Sequence, residues 1–153
     1  MTELKLRAAT ERDLDVLVDF NAAMALETEA LTLDRARLRA GVAALLADPA
    51  KGRYTVAERA DAVVGALMLT REWSDWRCGD WWWIQSVYVH PSARRAGVFR
   101  ALFERAAAEA RADPDVCGLR LYVERDNLRA QATYRALDMQ ETHYRLYEIS
   151  TRG

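Results

Sequence analysis

Cysteine and histidine each occur twice, proline three times and glycine seven times in 153 residues. Each scarcity closes a class. Two cysteines, Cys78 and Cys117, form no CxxC pair and no metal spacing, so a disulfide scaffold and a cysteine metal centre are not expected; free thiols are. Little glycine and proline, with 51% hydrophobic and 29% charged residues, excludes collagen-like, low-complexity and disordered chains. A formal net charge of -1 supplies no basic field for nucleic acid. No apolar run reaches the roughly 20 residues of a membrane span. The opening "MTELKLRAATERDL" is charged from its third residue, unlike a secretory signal. The expectation is a cytoplasmic chain forming one domain over 1–153, without metal, nucleic acid or membrane partner.

Hydrophobic periodicity then sets the order of elements. Residues 4–9 alternate as a strand. Thr10 and Asp13 have capping-box spacing before a helix carrying Leu14, Leu17, Val18 and Met24 through Thr28. A second helix fits 34–47. The runs 53–58 and 62–73 read as a hairpin, 72–80 as a polar-aromatic loop, and 81–89 as a further strand. A helix over 98–112, a strand over 117–124, a helix from Asn127 to Leu137 and a strand over 143–149 complete the chain. Strand–helix–strand units in the second half imply parallel pairing, and the hairpin implies antiparallel pairing. The sheet is therefore mixed, in an α/β fold.

The stretch "VYVHPSARRAGVFRAL" places Arg94, Arg95, Gly97 and Arg100 between a strand and the first turn of a helix. Helix-start amides lack intrahelical acceptors and carry the positive end of the macrodipole. An anion is met there by donors already in position. Gly97 allows close backbone approach. The segment has the physics of a phosphate cradle, though it lacks the G-K-[ST] of a P-loop; the alternative is a solvated arginine-rich turn.

This stretch resembles the acyl-CoA-binding motif of the GNAT N-acetyltransferases: strand, His-Pro, then Arg/Gln-x-x-Gly-x-Gly/Ala opening a helix. Arg94, Gly97 and Val98 match, whereas Phe99 stands where Gly or Ala is usual. "YVERDNLRAQATYRALDM" resembles the family's next block, with Asn127 and Tyr134 at matching positions. The resemblance implies a mixed, mostly antiparallel six- or seven-stranded sheet, helices on both faces, and a splayed central strand pair. It implies an acetyl-CoA-dependent N-acetyltransferase acting on a primary amine, most simply a small molecule, by direct attack in a ternary complex. Coenzyme contacts would come from Val87, Tyr88, Val89, Arg94, Arg95, Ala96, Gly97, Val98, Phe99, Arg100, Asn127, Ala130 and Tyr134. Dimers are common in the family, so a homodimer is compatible with it.

Acyl transfer to an amine needs a proton acceptor, a donor to the carbonyl oxygen and an acid for the departing thiolate. The resemblance makes Tyr134 the acid; helical spacing alone would read it as a core residue. It puts the oxygen's donor among the amides of 86–88. Gln85 stands where family members often carry Glu, and an amide cannot take the proton. A water chain or a carboxylate must serve, the candidates being Glu27, Glu29, Glu72 and Asp75. Glu72, Trp73, Asp75 and Trp76, with Glu27 and Gln85, form the expected acceptor wall, since aromatic rings and carboxylates suit a cationic amine. The rival reading is a catalytically silent acyl-CoA-binding or regulatory domain.

Overall fold

A computed structural model describes residues 2–152. The chain divides into two compact units, Met1–Leu121 and Tyr122–Gly153. The first unit holds β1 (Lys5–Ala8), α1 (Leu14–Glu29), α2 (Arg35–Ala47), β2 (Arg53–Arg59), β3 (Ala62–Ser74), β4 (Gly79–Val89), α3 (Val98–Ala112) and β5 (Val116–Arg120); the second holds α4 (Leu128–Ala136). No helix among the described residues is long and apolar enough to cross a membrane.

The five strands lie in the order β1-β2-β3-β4-β5. The first three pairings are antiparallel, and β4 with β5 is parallel across the α3 crossover. The mixed, mostly antiparallel sheet thus forms as expected, with five described strands rather than six or seven. Residues 143–149 alternate like a strand but pair with no described strand, and Tyr144, Leu146, Tyr147 and Ile149 are exposed. The strand expected over 117–124 ends at Arg120. The expected loop over 72–80 is largely strand, because β3 and β4 form one long hairpin with its turn at 75–78.

Alternation assigns the faces. Tyr54, Val56, Ala66 and Tyr88 pack in one buried cluster with Leu17, Val18 and Phe20 of α1 and Val42 of α2. Gly65, next to Ala66, faces the opposite way: a Cβ built on it would lie 2.8 Å from Val98 Cγ1 at the start of α3. The sheet is therefore covered by α1 and α2 on one side and by α3 on the other.

The capping box is realised in full. Thr10 and Asp13 cap a single 3-10 turn that leads into α1. The Arg7 guanidinium bonds both oxygens of the buried Asp13 carboxylate, at 2.8 and 2.9 Å, and bonds Glu58 of β2 at 2.5 Å. It holds the Asp13 carboxyl below the usual carboxylate range.

Gly65 sets how closely α3 rests on the sheet. Gly65→Ala should destabilise the fold by about 1–3 kcal/mol, the usual scale of overpacking. The first turn of α3 should also shift, because Val98 must move. Chemical denaturation with hydrogen exchange at 98–101 checks this; unchanged stability and protection would show that the contact is slack.

Candidate functional site

β4 carries the central irregularity of the first unit. Ala66 pairs with Tyr88, and Met68 pairs with Gln85. Two residues of β4, Ser86 and Val87, therefore stand opposite Leu67 alone. Such a bulge bends its strand and takes local backbone groups out of the ladder. Ser86 adopts φ +49°, the left-handed region, which a side chain other than glycine's enters at a cost. The bulge also reverses facing. Trp82, before it, packs under the Arg53 guanidinium, and Arg53 pairs with Glu109 of α3. Tyr88, an even number of residues later, points instead into the α1 cluster.

Pairing of β4 with β5 ends at Trp83↔Arg120, and β4 continues to Val89. β5 itself ends at Arg120, so Ile84 to Val89 of β4 have no β5 partner among the described residues. Beyond Val89 the chain makes a 3-10 turn at Pro91–Ala93 and then the loop leading to α3. Arg95 (φ +63°) and Gly97 (φ +78°) both lie in the left-handed region. No heavy atom comes within 4 Å of a Cβ built on Gly97, so the space before its backbone is open. Among the described residues, no backbone carbonyl accepts from the amides of Arg95, Ala96, Gly97 or Val98. Open space, amides at a helix start and a left-handed turn together fit a phosphate-sized anion.

The three arginines of this loop do different things. Arg94 turns back, donating Nε to the Val89 carbonyl at 2.9 Å and Nη2 to Glu27 Oε1 at 2.9 Å. Its guanidinium lies 5.4 Å from the Tyr88 ring centroid. Arg100 pairs with Glu104 one turn along α3, at 2.8 Å. Arg95 is exposed and has no carboxylate partner among the described residues.

Glu27, in the last turn of α1, also accepts from the Tyr88 hydroxyl at 2.5 Å. The Tyr88 hydrogen bond and then Arg94 hold the Glu27 carboxyl below its ordinary range, while burial and Glu27 push the Tyr88 phenol up. A carboxylate held this way is a poor proton acceptor at neutral pH. Sequence reading missed this trio as a unit. Glu27 and Arg94 are 67 positions apart, and no local pattern links them.

Along β4 from the bulge toward its start, the face shared with α1 changes character. Met68 is the last β3 side chain packed against the α1 cluster. Beyond it the register places Thr70 opposite Trp83 and Glu72 opposite Trp81, with Arg120 of β5 beside Trp83. Gln85 Nε2 donates to Thr70 Oγ1 at 2.5 Å. Glu72 Oε1 accepts from Arg120 Nη1 at 2.8 Å and from the Trp83 indole at 3.4 Å. The Arg120 guanidinium stacks 3.8 Å from the Trp81 centroid. Trp81 and Trp83 share this face and Trp82 takes the other, as alternation predicts.

The expected acceptor wall is therefore divided. Glu72 and Gln85 share the α1 side of the sheet. Trp73 is on the other side of β3, opposite Asp80, and Asp75 and Trp76 belong to the exposed turn. Glu29 is exposed at the end of α1. Thr70, Trp81, Trp83 and Arg120 were not candidates in the sequence; strand alternation points to the two tryptophans, but only the register brings in Arg120.

In the second unit, Asn127 caps α4, its Oδ1 accepting from the Ala130 amide at 3.1 Å. Tyr134 lies two turns along the same helix, and burial raises its phenol above the ordinary value.

The family model that matches is described as the acetyltransferase (GNAT) family and spans residues 15–139. The chain belongs to the acetyltransferase (GNAT) family. A possible acetyltransferase from Clostridium difficile 630 is similar over 98% of this chain and 99% of its own, with 45% identity and a TM-score of 0.93. Two more distant structures share the fold: a predicted acetyltransferase with acetyl-CoA from Clostridium acetobutylicum (16% identity, 96% of each chain, TM-score 0.78) and a GCN5-related N-acetyltransferase from Ralstonia eutropha JMP134 (23% identity, 96% of this chain and 99% of that one, TM-score 0.75). No curated protein matches the sequence.

Ser86 tests whether the bulge is required. Ser86→Gly should leave stability within about 0.5 kcal/mol, whereas Ser86→Val should cost about 1–3 kcal/mol, since a β-branched residue is strained at positive φ. Denaturant titration of the two variants checks this; equal stability would mean the bulge relaxes freely.

Proposed function

We propose that this chain transfers the acetyl group of acetyl-CoA to a primary amine of a small molecule, by direct attack in a ternary complex. The observation that carries the proposal is the loop before α3, where Gly97 opens the space in front of helix-start amides, after the part of β4 that has no β5 partner. Family membership and a solved structure of the same fold that is described with acetyl-CoA support it. The amides of 95–98 would hold the pyrophosphate. The backbone of β4 beyond Trp83, unpaired with β5, would bond the amide-bearing arm as an added strand does. Acetyl-CoA supplies the acyl group as a thioester. The family match runs through both compact units, and we take 1–153 to act as one acyltransferase domain in the cytoplasm.

Each step then has an owner. The bulged backbone at 86–88 offers amide donors to the carbonyl oxygen. Tyr134 delivers the proton to the thiolate, and its raised pKa keeps the phenol protonated at neutral pH. Asn127, beyond capping α4, and Ala130 would contact the coenzyme. The acceptor would lie over the face carrying Thr70, Glu72, Trp81, Trp83 and Gln85. Trp73, Asp75 and Trp76 would bound it at the hairpin turn. Deprotonation falls to Glu29, to Glu72 or to water, because Gln85 cannot take a proton and the Glu27 carboxylate is already engaged.

Gln85 in the position of a base, its amide spent on Thr70, favours one rival: a silent acyl-CoA-binding domain. A thiol-release assay with acetyl-CoA and a panel of primary amines separates the two. Turnover supports the enzyme; calorimetric binding of CoA without turnover on any amine supports the rival.

Two variants test the assignments. Gly97→Val should weaken CoA binding at least roughly tenfold while the fold survives, because the branched side chain fills the open space and resists φ +78°. Tyr134→Phe should lower kcat roughly ten- to a thousandfold with CoA affinity near wild type, the range expected on losing a general acid. An unchanged Kd in the first, or full activity in the second, would remove that residue from its role.

A further inference from the structure

Glu27 was a natural candidate for the base, yet both its oxygens are already engaged. Oε2 accepts from Tyr88 and Oε1 from Arg94. Arg94 in turn donates to the carbonyl of Val89, the last residue of β4. Tyr88 packs its ring on Phe20 of α1, with centroids 5.1 Å apart. The last turn of α1, the end of β4 and the loop that opens α3 are thus tied through one carboxylate and one guanidinium.

Resting on the function proposed above, we propose that Glu27 and Arg94 are positioning residues that hold the coenzyme cradle in shape from α1. The geometry gives two reasons. Arg94 directly precedes Arg95–Val98, the segment whose left-handed residues aim the amides. A guanidinium fixed at both Nε and Nη2 has little freedom left, so it fixes the backbone that carries it.

The test is CoA binding by calorimetry to the full-length wild type, Glu27→Gln, Arg94→Gln and the double variant, with steady-state kinetics on acetyl-CoA. Each single variant should weaken CoA binding roughly three- to tenfold, the scale of a charge-assisted network partly open to solvent. The double variant should be little worse than either single, because both break one interaction. KM for acetyl-CoA should rise by the same factor, and the pH profile of kcat in Glu27→Gln should keep both limbs. Tyr88→Phe, which keeps the ring on Phe20, should show a smaller loss in the same direction. Additive losses, an unchanged Kd or disappearance of the acidic limb in Glu27→Gln would overturn the inference, the last by making Glu27 the base. Wild type that bound CoA normally beside an unaffected Glu27→Gln would sink this inference alone. Wild type without CoA affinity would sink the proposed function and this inference with it.

Discussion

One extra residue in β4 governs the arrangement of the first unit. Without the bulge at Ser86 and Val87, Tyr88 would continue the alternation of Trp82 and Ile84 and point toward α3. It would then be lost to the α1 cluster, and its hydroxyl could not reach Glu27. The same irregularity lies just past the last β4–β5 pair, Trp83↔Arg120. A left-handed serine in a central strand is a local cost that the packing on both sides holds in place: Phe20 and Ala66 on one face, Val98 and Leu102 on the other.

The ion pairs sort by burial. Arg35–Asp19 and Arg39–Asp15 link α2 to α1 with all four side chains more than half exposed, and pairs of this kind contribute little. Arg7–Asp13 is different. Asp13 is buried and also accepts from the Thr10 amide, so one carboxylate joins β1, the start of α1 and, through Arg7, β2. Its folded pKa lies below 3.8, so the stabilisation is complete above that value and is lost as pH falls beneath it. Glu27–Arg94 is intermediate, partly exposed but satisfied on every side, which suits an element that adjusts rather than one that carries the fold.

How much was legible follows from the range of each signal. Caps and periodicity are local, so α3 matches the expected 98–112 and α2 begins one residue after its Asp34 cap. The hairpin boundary was misplaced because Ser74, Gly79 and Asp80 read as loop by composition, while the pairs Trp73↔Asp80 and Ser74↔Gly79 make them strand. The loop proposed as the cradle was legible as a turn opening a helix, because its glycine, its arginines and that helix lie in one stretch. The bulge was not, since "WIQSVYV" reads as one strand segment and only register against β3 shows the added residue. For the same reason the split of the acceptor residues between two faces was hidden. Residues 143–149 show the reverse: their composition suits a strand, but composition states only a tendency to pair, and no described strand pairs with them.

The cradle's electrostatics also change once partners are known. The sequence suggests three arginines gathered around an anion. In the folded chain Arg94 is neutralised by Glu27 and Arg100 by Glu104, so neither offers its full charge. In the proposed cradle, attraction would rest on the helix-start amides and on Arg95. Amides are fixed by the backbone and lose no side-chain freedom on binding, whereas a free arginine must be ordered first. A site built this way would recognise the position of a phosphate more than its charge. On the proposed reading the burden of affinity falls on backbone geometry, and so on Gly97, the left-handed Arg95 and the contacts that hold Arg94 in place.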